Sequence, residues 1–129
     1  MEGILMDGKT YHVMVVFPSR QRSFRLIEGK NAGPSLSQRS IRDLKGTSYG
    51  YMMQVERNPE YPEDYDAFYE AISEPVDFHE ITMPYNQGTI TFEAKITGGT
   101  DVDEGVLRGR RKWRGLTVAF EPMEPQRKA

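Results

Sequence analysis

The chain has 129 residues, 37% of them hydrophobic and 28% charged, which suits one globular domain with a real core and leaves no room for two. It holds no cysteine, so disulfides, thiolate catalysis and cysteine-ligated zinc are excluded together. The formal charge of −2 conceals three blocks: residues 1–57 carry nine Lys/Arg against five Asp/Glu, residues 58–94 none against nine, and residues 95–129 eight against five. Charge segregated in this way bears on association more than on fold.

The first residues, MEGILMDGKTY, have neither the basic flank nor the apolar run of a secretory signal. No later segment approaches the ~20 apolar residues of a membrane span, so no membrane anchor is expected. Tyr11, Val13, Val15 and Phe17 alternate, which predicts a strand over 11–17. Pro18 to Gln21 forms a turn, and Ser23 to Glu28 returns as a short strand. Residues 29–46, with Asn31, Gly33, Pro34 and several serines, read as a long loop. Thr47 to Glu56 predicts a strand with Tyr49, Tyr51, Met53 and Val55 on one face.

Residues 58–80 hold eight acids, five aromatics, His79 and no lysine or arginine. Pro62 fits a first helical turn, Glu63 and Asp64 favour a helix N-terminus, and Tyr65, Phe68, Tyr69 and Ile72 fall at i, i+3, i+4 and i+7. A short amphipathic helix follows, ended by Ser73-Glu74-Pro75. Its aromatics turn inward, while Glu63, Asp66 and Glu70 turn to solvent and share no pocket for acid–base work. Phe78 to Met83 and Thr89 to Thr97 flank Pro84–Gly88, a hairpin with Ile90, Phe92, Ala94 and Ile96 inward. Residues 98–112 read as a second long polar loop. Trp113 to Phe120 closes the sheet, with Gly115 a bulge, and residues 121–129 form an extended polar tail.

The expected fold is therefore α+β and predominantly antiparallel β. It is a small β-sandwich or split barrel over residues 1–129, with one short helix inserted between the third and fourth of about six strands.

No nucleophile–base constellation accompanies His12 or His79. Asp77 and His79 are too few for a metal site, and Asp101 to Gly105 lacks the offsets of a calcium loop. No catalytic residue, metal or cofactor is expected. Arg108, Arg110, Arg111, Lys112 and Arg114 surround Trp113, a composition that could hold phosphates and stack a base. The pI of about 5.7 and the lack of a surrounding motif disfavour nucleic acid. A nucleic-acid-binding or regulatory protein acting through this cluster is the alternative reading.

The other partner for a basic segment is an acidic surface, which this chain carries itself. Glu60, Glu63, Asp64, Asp66, Glu70 and Glu74 are the expected acidic half of a subunit interface, and the five basic residues of 108–114 the other half. Copies joined head to tail through such halves close into rings or stack.

Between Gly3 and Arg127 the chain resembles small proteins encoded in the tail modules of phages and prophages of Gram-positive bacteria. The resemblance rests on Arg22-Ser23-Phe24, Arg42-Asp43-Leu44 with Gly46-Thr47, Tyr65-Asp66 to Pro75-Val76, His79, Pro84-Tyr85 and the ending from Trp113 to Arg127. It implies a virion structural protein of the tail tube or distal baseplate, made in the host cytoplasm and carried in the virion. The order of strands, one helix and further strands is similar to the β-barrel of tail-tube and distal-tail proteins. That likeness implies a homo-oligomeric ring, of the hexameric kind, in contact with neighbouring tail proteins through the two long loops.

Overall fold

The computed structural model describes residues 3–29, 33–34, 40–41 and 43–129. In chain order the elements are β1 (Ile4–Met6), β2 (Lys9–Tyr11), β3 (Met14–Val15), β4 (Gln21–Glu28), β5 (Gly33–Pro34), β6 (Ser40–Ile41), β7 (Leu44–Glu56) and α1 (Pro62–Ile72). They continue with β8 (His79–Tyr85), β9 (Gly88–Lys95), β10 (Gly99–Leu107), β11 (Arg110–Pro122) and β12 (Arg127–Lys128). Every pairing among them is antiparallel. The fold is the expected α+β, mainly antiparallel β, with a single short helix.

One group of strands runs β2-β1-β8-β9, and the other runs β4-β7-β11-β10, with β3 and β12 paired to the two ends of β7. They meet at β11. Leu116 to Phe120 pairs with β7, and Glu121 and Pro122 then pair with Lys95 and Ala94 of β9. Alternation fills the space between the groups, as two-residue periodicity requires. Tyr51, Met53 and Val55 of β7 and Leu116, Val118 and Phe120 of β11 face Ile4, Met6, Ile81, Met83, Phe92 and Ala94. These β7 and β11 faces are the ones their sequences predict.

Helix α1 closes the open end. Pro62 occupies its first turn, Glu63 and Asp64 stand near its N-terminus, and Tyr65, Phe68 and Ile72 are its buried face. Phe68 meets Tyr11 edge to face at 5.6 Å between centroids. The Ser73 hydroxyl donates to the carbonyls of Tyr69 and Glu70 at the C-terminus, and Pro75 stands beyond.

Four expectations need correction. Residues 11–17 are not one strand: β2 ends at Tyr11 and β3 begins at Met14 on a different partner. The chain crosses between the two groups there, so Tyr11 and Val13 are buried without a common ladder. A hairpin that the sequence reading passed over lies upstream. Asp7 and Gly8, with φ of 54° and 79°, form the two-residue turn between β1 and β2 that positive φ at both positions allows.

Residues 98–112 are not a loop. β10 pairs with β11 from Gly99↔Val118 to Leu107↔Arg110, around a turn at Arg108 and Gly109 with φ of 55° and 74°. The outer half of this hairpin, called the arm below, lies beyond the stretch of β11 that pairs with β7. Both of its faces are largely open to solvent, which is why its sequence is polar.

The C-terminal tail is docked. Its residues 121–122 belong to β11, Arg127 and Lys128 pair with Thr47 and Gly46, and the Gln126 side chain bonds both the N–H (2.9 Å) and the carbonyl (2.8 Å) of Tyr49. Of the loop expected at 29–46, residues 44–46 belong to β7, and Gly33–Pro34 pairs with Ser40–Ile41. The rest of that expectation, residues 30–32, 35–39 and 42, lies outside the described residues.

Candidate interaction surfaces

The acidic helix and the basic arm are both present, and they do not neutralise each other. Glu60, Glu63, Asp66, Glu70 and Glu74 are exposed. Asp64 is half-buried, and its carboxylate accepts the His12 backbone N–H at 2.7 Å. It therefore pins the chain crossing to the helix N-terminus. His12 itself stacks on Tyr61 at 4.2 Å.

On the arm, Arg111 donates to Asp103 at 2.6 Å and Arg114 to Glu104 at 3.3 Å, with Glu56 3.9 Å from Arg114. These two arginines are matched within their own hairpin. Arg108, Arg110 and Lys112 have no ion pair among the described residues, and no helix acid pairs with any arm cation.

A bulge explains this separation. Between Thr100↔Thr117 and Val102↔Arg114 the β11 side gains one residue, at Gly115 with φ of 68°. The extra residue shifts side-chain parity, so Trp113 faces the helix. Trp113 and Asp101 then form a groove of about 390 Å³ with Asp66, Tyr69 and Glu70 of α1. The hydroxyl of the buried Tyr65 donates to Asp101, one of the lining residues, at 2.9 Å. Burial, and after it that bond to a carboxylate, pushes the Tyr65 phenol far up from its usual range. The arm therefore brings a carboxylate, not an arginine, to the acidic helix face.

His79 is buried, and its Nδ1 lies 2.5 Å from Asp7 Oδ2, while Asp7 Oδ1 accepts the Glu80 N–H at 2.8 Å. Burial pushes the Asp7 carboxyl up, but the hydrogen bonds from His79 and Glu80 and the nearby imidazole charge outweigh it. The net shift is downward. Glu74 stands 3.9 Å from the other ring nitrogen. The arrangement locks the β1–β2 turn onto β8, and the acids and histidine of residues 58–80 otherwise go separate ways.

A third surface escaped the sequence reading. Arg22 and Phe24 of β4 stand opposite Tyr51 and Tyr49 of β7, and the β8–β9 turn faces them. Arg22 lies over the Tyr85 ring at 5.3 Å and donates to Asn86 Oδ1 at 2.8 Å. On one side of Arg22 is a cavity of about 560 Å³ bordered by Arg20, Tyr51, Asn86 and Gln87; on the other is one of about 340 Å³ bordered by Phe24, Tyr49 and Tyr85. Tyr49 and Tyr85 meet edge to face at 5.2 Å, and Arg127 of β12 reaches the Tyr49 hydroxyl. The hydrogen bond from Tyr85, with Arg127 alongside, draws the Tyr49 hydroxyl below its usual range, and the same bond holds Tyr85 above it. The signal was the run Arg20-Gln-Arg-Ser-Phe-Arg25, in which an aromatic and an arginine share one strand face two residues apart.

Comparison with known proteins finds no matching family model and no match among the curated proteins. No described helix is long and apolar enough to cross a membrane.

Proposed function

We propose that the chain is a non-enzymatic structural subunit that assembles head to tail with copies of itself, as a tube or distal-baseplate component of a phage tail. The observation that carries the reading is the unmatched charge. The fold leaves Glu60, just before the helix, and Glu63, Asp66 and Glu70 on it, and Arg108, Arg110 and Lys112 on the arm, exposed or half-exposed and apart. The arm of one copy laid against the helix of the next would satisfy both sets across a heterologous contact. Val102, Val106 and Leu107 stand more than half exposed beside those cations, at 59%, 58% and 55%. They supply apolar area, while exposed ion pairs contribute at most about 1 kcal/mol each and set register.

The resemblance to tail-module proteins supplies the setting, and the edge of β10 that no described strand pairs supports an arm that reaches a neighbour. The test is the mass of the assembly by sedimentation at low and high salt. A double variant, Arg108→Glu with Arg110→Glu, should lower the mass, and adding Glu63→Lys with Glu70→Lys should restore it. A monomer under every condition, or an assembly indifferent to the double variant, overturns the reading.

A further inference from the structure

The two cavities that share Arg22 differ in chemistry. The one bordered by Arg20, Asn86 and Gln87 offers hydrogen-bond donors and positive charge, while the one bordered by Phe24, Tyr49 and Tyr85 offers ring faces. Phe24 is 70% exposed although it sits opposite Tyr49, on the face of the β4–β7 pair that also carries the buried Tyr51. An inward-facing aromatic that no described residue covers is the observation to explain, because burial of such a ring would otherwise be favourable.

From this juxtaposition we propose that the cleft between β4 and the β8–β9 turn binds a nucleoside-phosphate unit, phosphate in the arginine chamber and base against Phe24. Arg22 is suited to the junction. The ring of Tyr85 and the Asn86 carboxamide hold its guanidinium in place, and a guanidinium with five donors retains others for phosphate oxygens. The floor is rigid, because the buried Tyr51 donates its hydroxyl to the Pro84 carbonyl at 2.7 Å. Tyr49 is fixed from behind by Gln126 through its backbone. The site is independent of the arm and the helix, so it stands or falls apart from the assembly.

The same chemistry is available from a free mononucleotide or from one base and phosphate of a single strand, and calorimetric titration separates them. The probes are adenosine 5′-monophosphate, adenosine alone, inorganic phosphate and a short single-stranded oligodeoxynucleotide. The monophosphate should bind more tightly than adenosine or phosphate. Its affinity should fall about tenfold in Phe24→Ala, as loss of one stacking partner does, and comparably in Arg22→Gln. Arg110→Gln, on the arm, should leave it unchanged. Phe24 is exposed, so its replacement spares the core, and an unaltered urea midpoint verifies that. An oligonucleotide that binds more tightly than the monophosphate, with the same variant sensitivities, identifies the source as a strand; equal or weaker binding identifies a free nucleotide. Absence of binding by both, indifference to both cleft variants, or loss in Arg110→Gln overturns the proposal.

Discussion

Replacing Gln126 by alanine isolates the clasp that holds the C-terminal strand. Its carboxamide makes two hydrogen bonds to the half-buried backbone of Tyr49, at 2.9 and 2.8 Å. At about 1 kcal/mol net for each bond, the clasp contributes ~2 kcal/mol, or roughly thirtyfold in the opening equilibrium of β12. The loss is local, since the β11–β7 ladder from Leu116 to Phe120 does not involve residue 126. Gly46→Ala reaches the same end from the other side of the ladder. Its new Cβ would lie 2.4 Å from the Arg127 carbonyl oxygen and 3.0 Å from Pro125 Cβ, so β12 must move away. Hydrogen exchange at the Tyr49 amide reads both variants directly. Exchange should accelerate by about thirtyfold in Gln126→Ala and at least comparably in Gly46→Ala, while the Met53 and Val55 amides stay protected. Exchange at Tyr49 within about threefold of the parent in both variants would refute the clasp.

Three further outcomes are expected. Phe68→Ala, which empties a fully buried site against Tyr11, should lower stability to urea by about 3–5 kcal/mol, whereas Tyr69→Ala, more exposed on the same helix, should fall well short of that. Tyr65→Phe removes the bond to Asp101 and should destabilise by about 1–2 kcal/mol, with faster exchange at the base of the arm. The Asp7 carboxyl sits below its ordinary value when folded. Its contribution is therefore present above the unfolded carboxylate pKa of about 3.9 and is lost as pH falls through the folded value. Asp7→Asn, which keeps a residue tolerant of positive φ in the turn, should flatten the acid side of the urea-midpoint profile, and parallel profiles would contradict this.

The helix was legible to the residue because Pro62, the first-turn acids and the spacing of Tyr65, Phe68 and Ile72 all agree with its observed range. The inward faces of β7, β9 and β11 were legible for the same reason: each has one buried side and one open side, so alternation survives. The arm was misread because neither of its faces is buried. A strand without a dry face shows no period, and its order comes from the Arg108–Gly109 turn and cross-strand pairs such as Arg111 with Asp103. The opposite error occurred at residues 11–17, where alternation is present and the ladder is not. Tyr11 and Val13 are buried during a crossing, and Phe17 at the end of the run is almost fully exposed. The first hairpin was hidden by its shortness, with Leu5 outward and apolar in a three-residue strand.

As for the candidate surfaces, the acids and arginines were identifiable one by one. Their pairing was not: the bulge expected at Gly115 is there, but which side of the arm faces the helix depends also on β10, a strand that the polar sequence of residues 98–112 concealed. The cleft at Arg22 depends on three strands distant in sequence meeting at one turn, and only the Arg22–Phe24 half of it was written in a single segment.

The continuity of β11 also has a mechanical consequence. From the arm tip to Pro122 it is one unbroken strand, paired in turn with β10, β7 and β9. Tension applied at the tip along its axis loads the Leu116–Phe120 ladder in shear, where the hydrogen bonds lie across the pull and must yield together. The load then passes into the β9 junction, so both halves of the domain resist as one body. A neighbour gripping the arm would drag the whole subunit before it could peel the hairpin away.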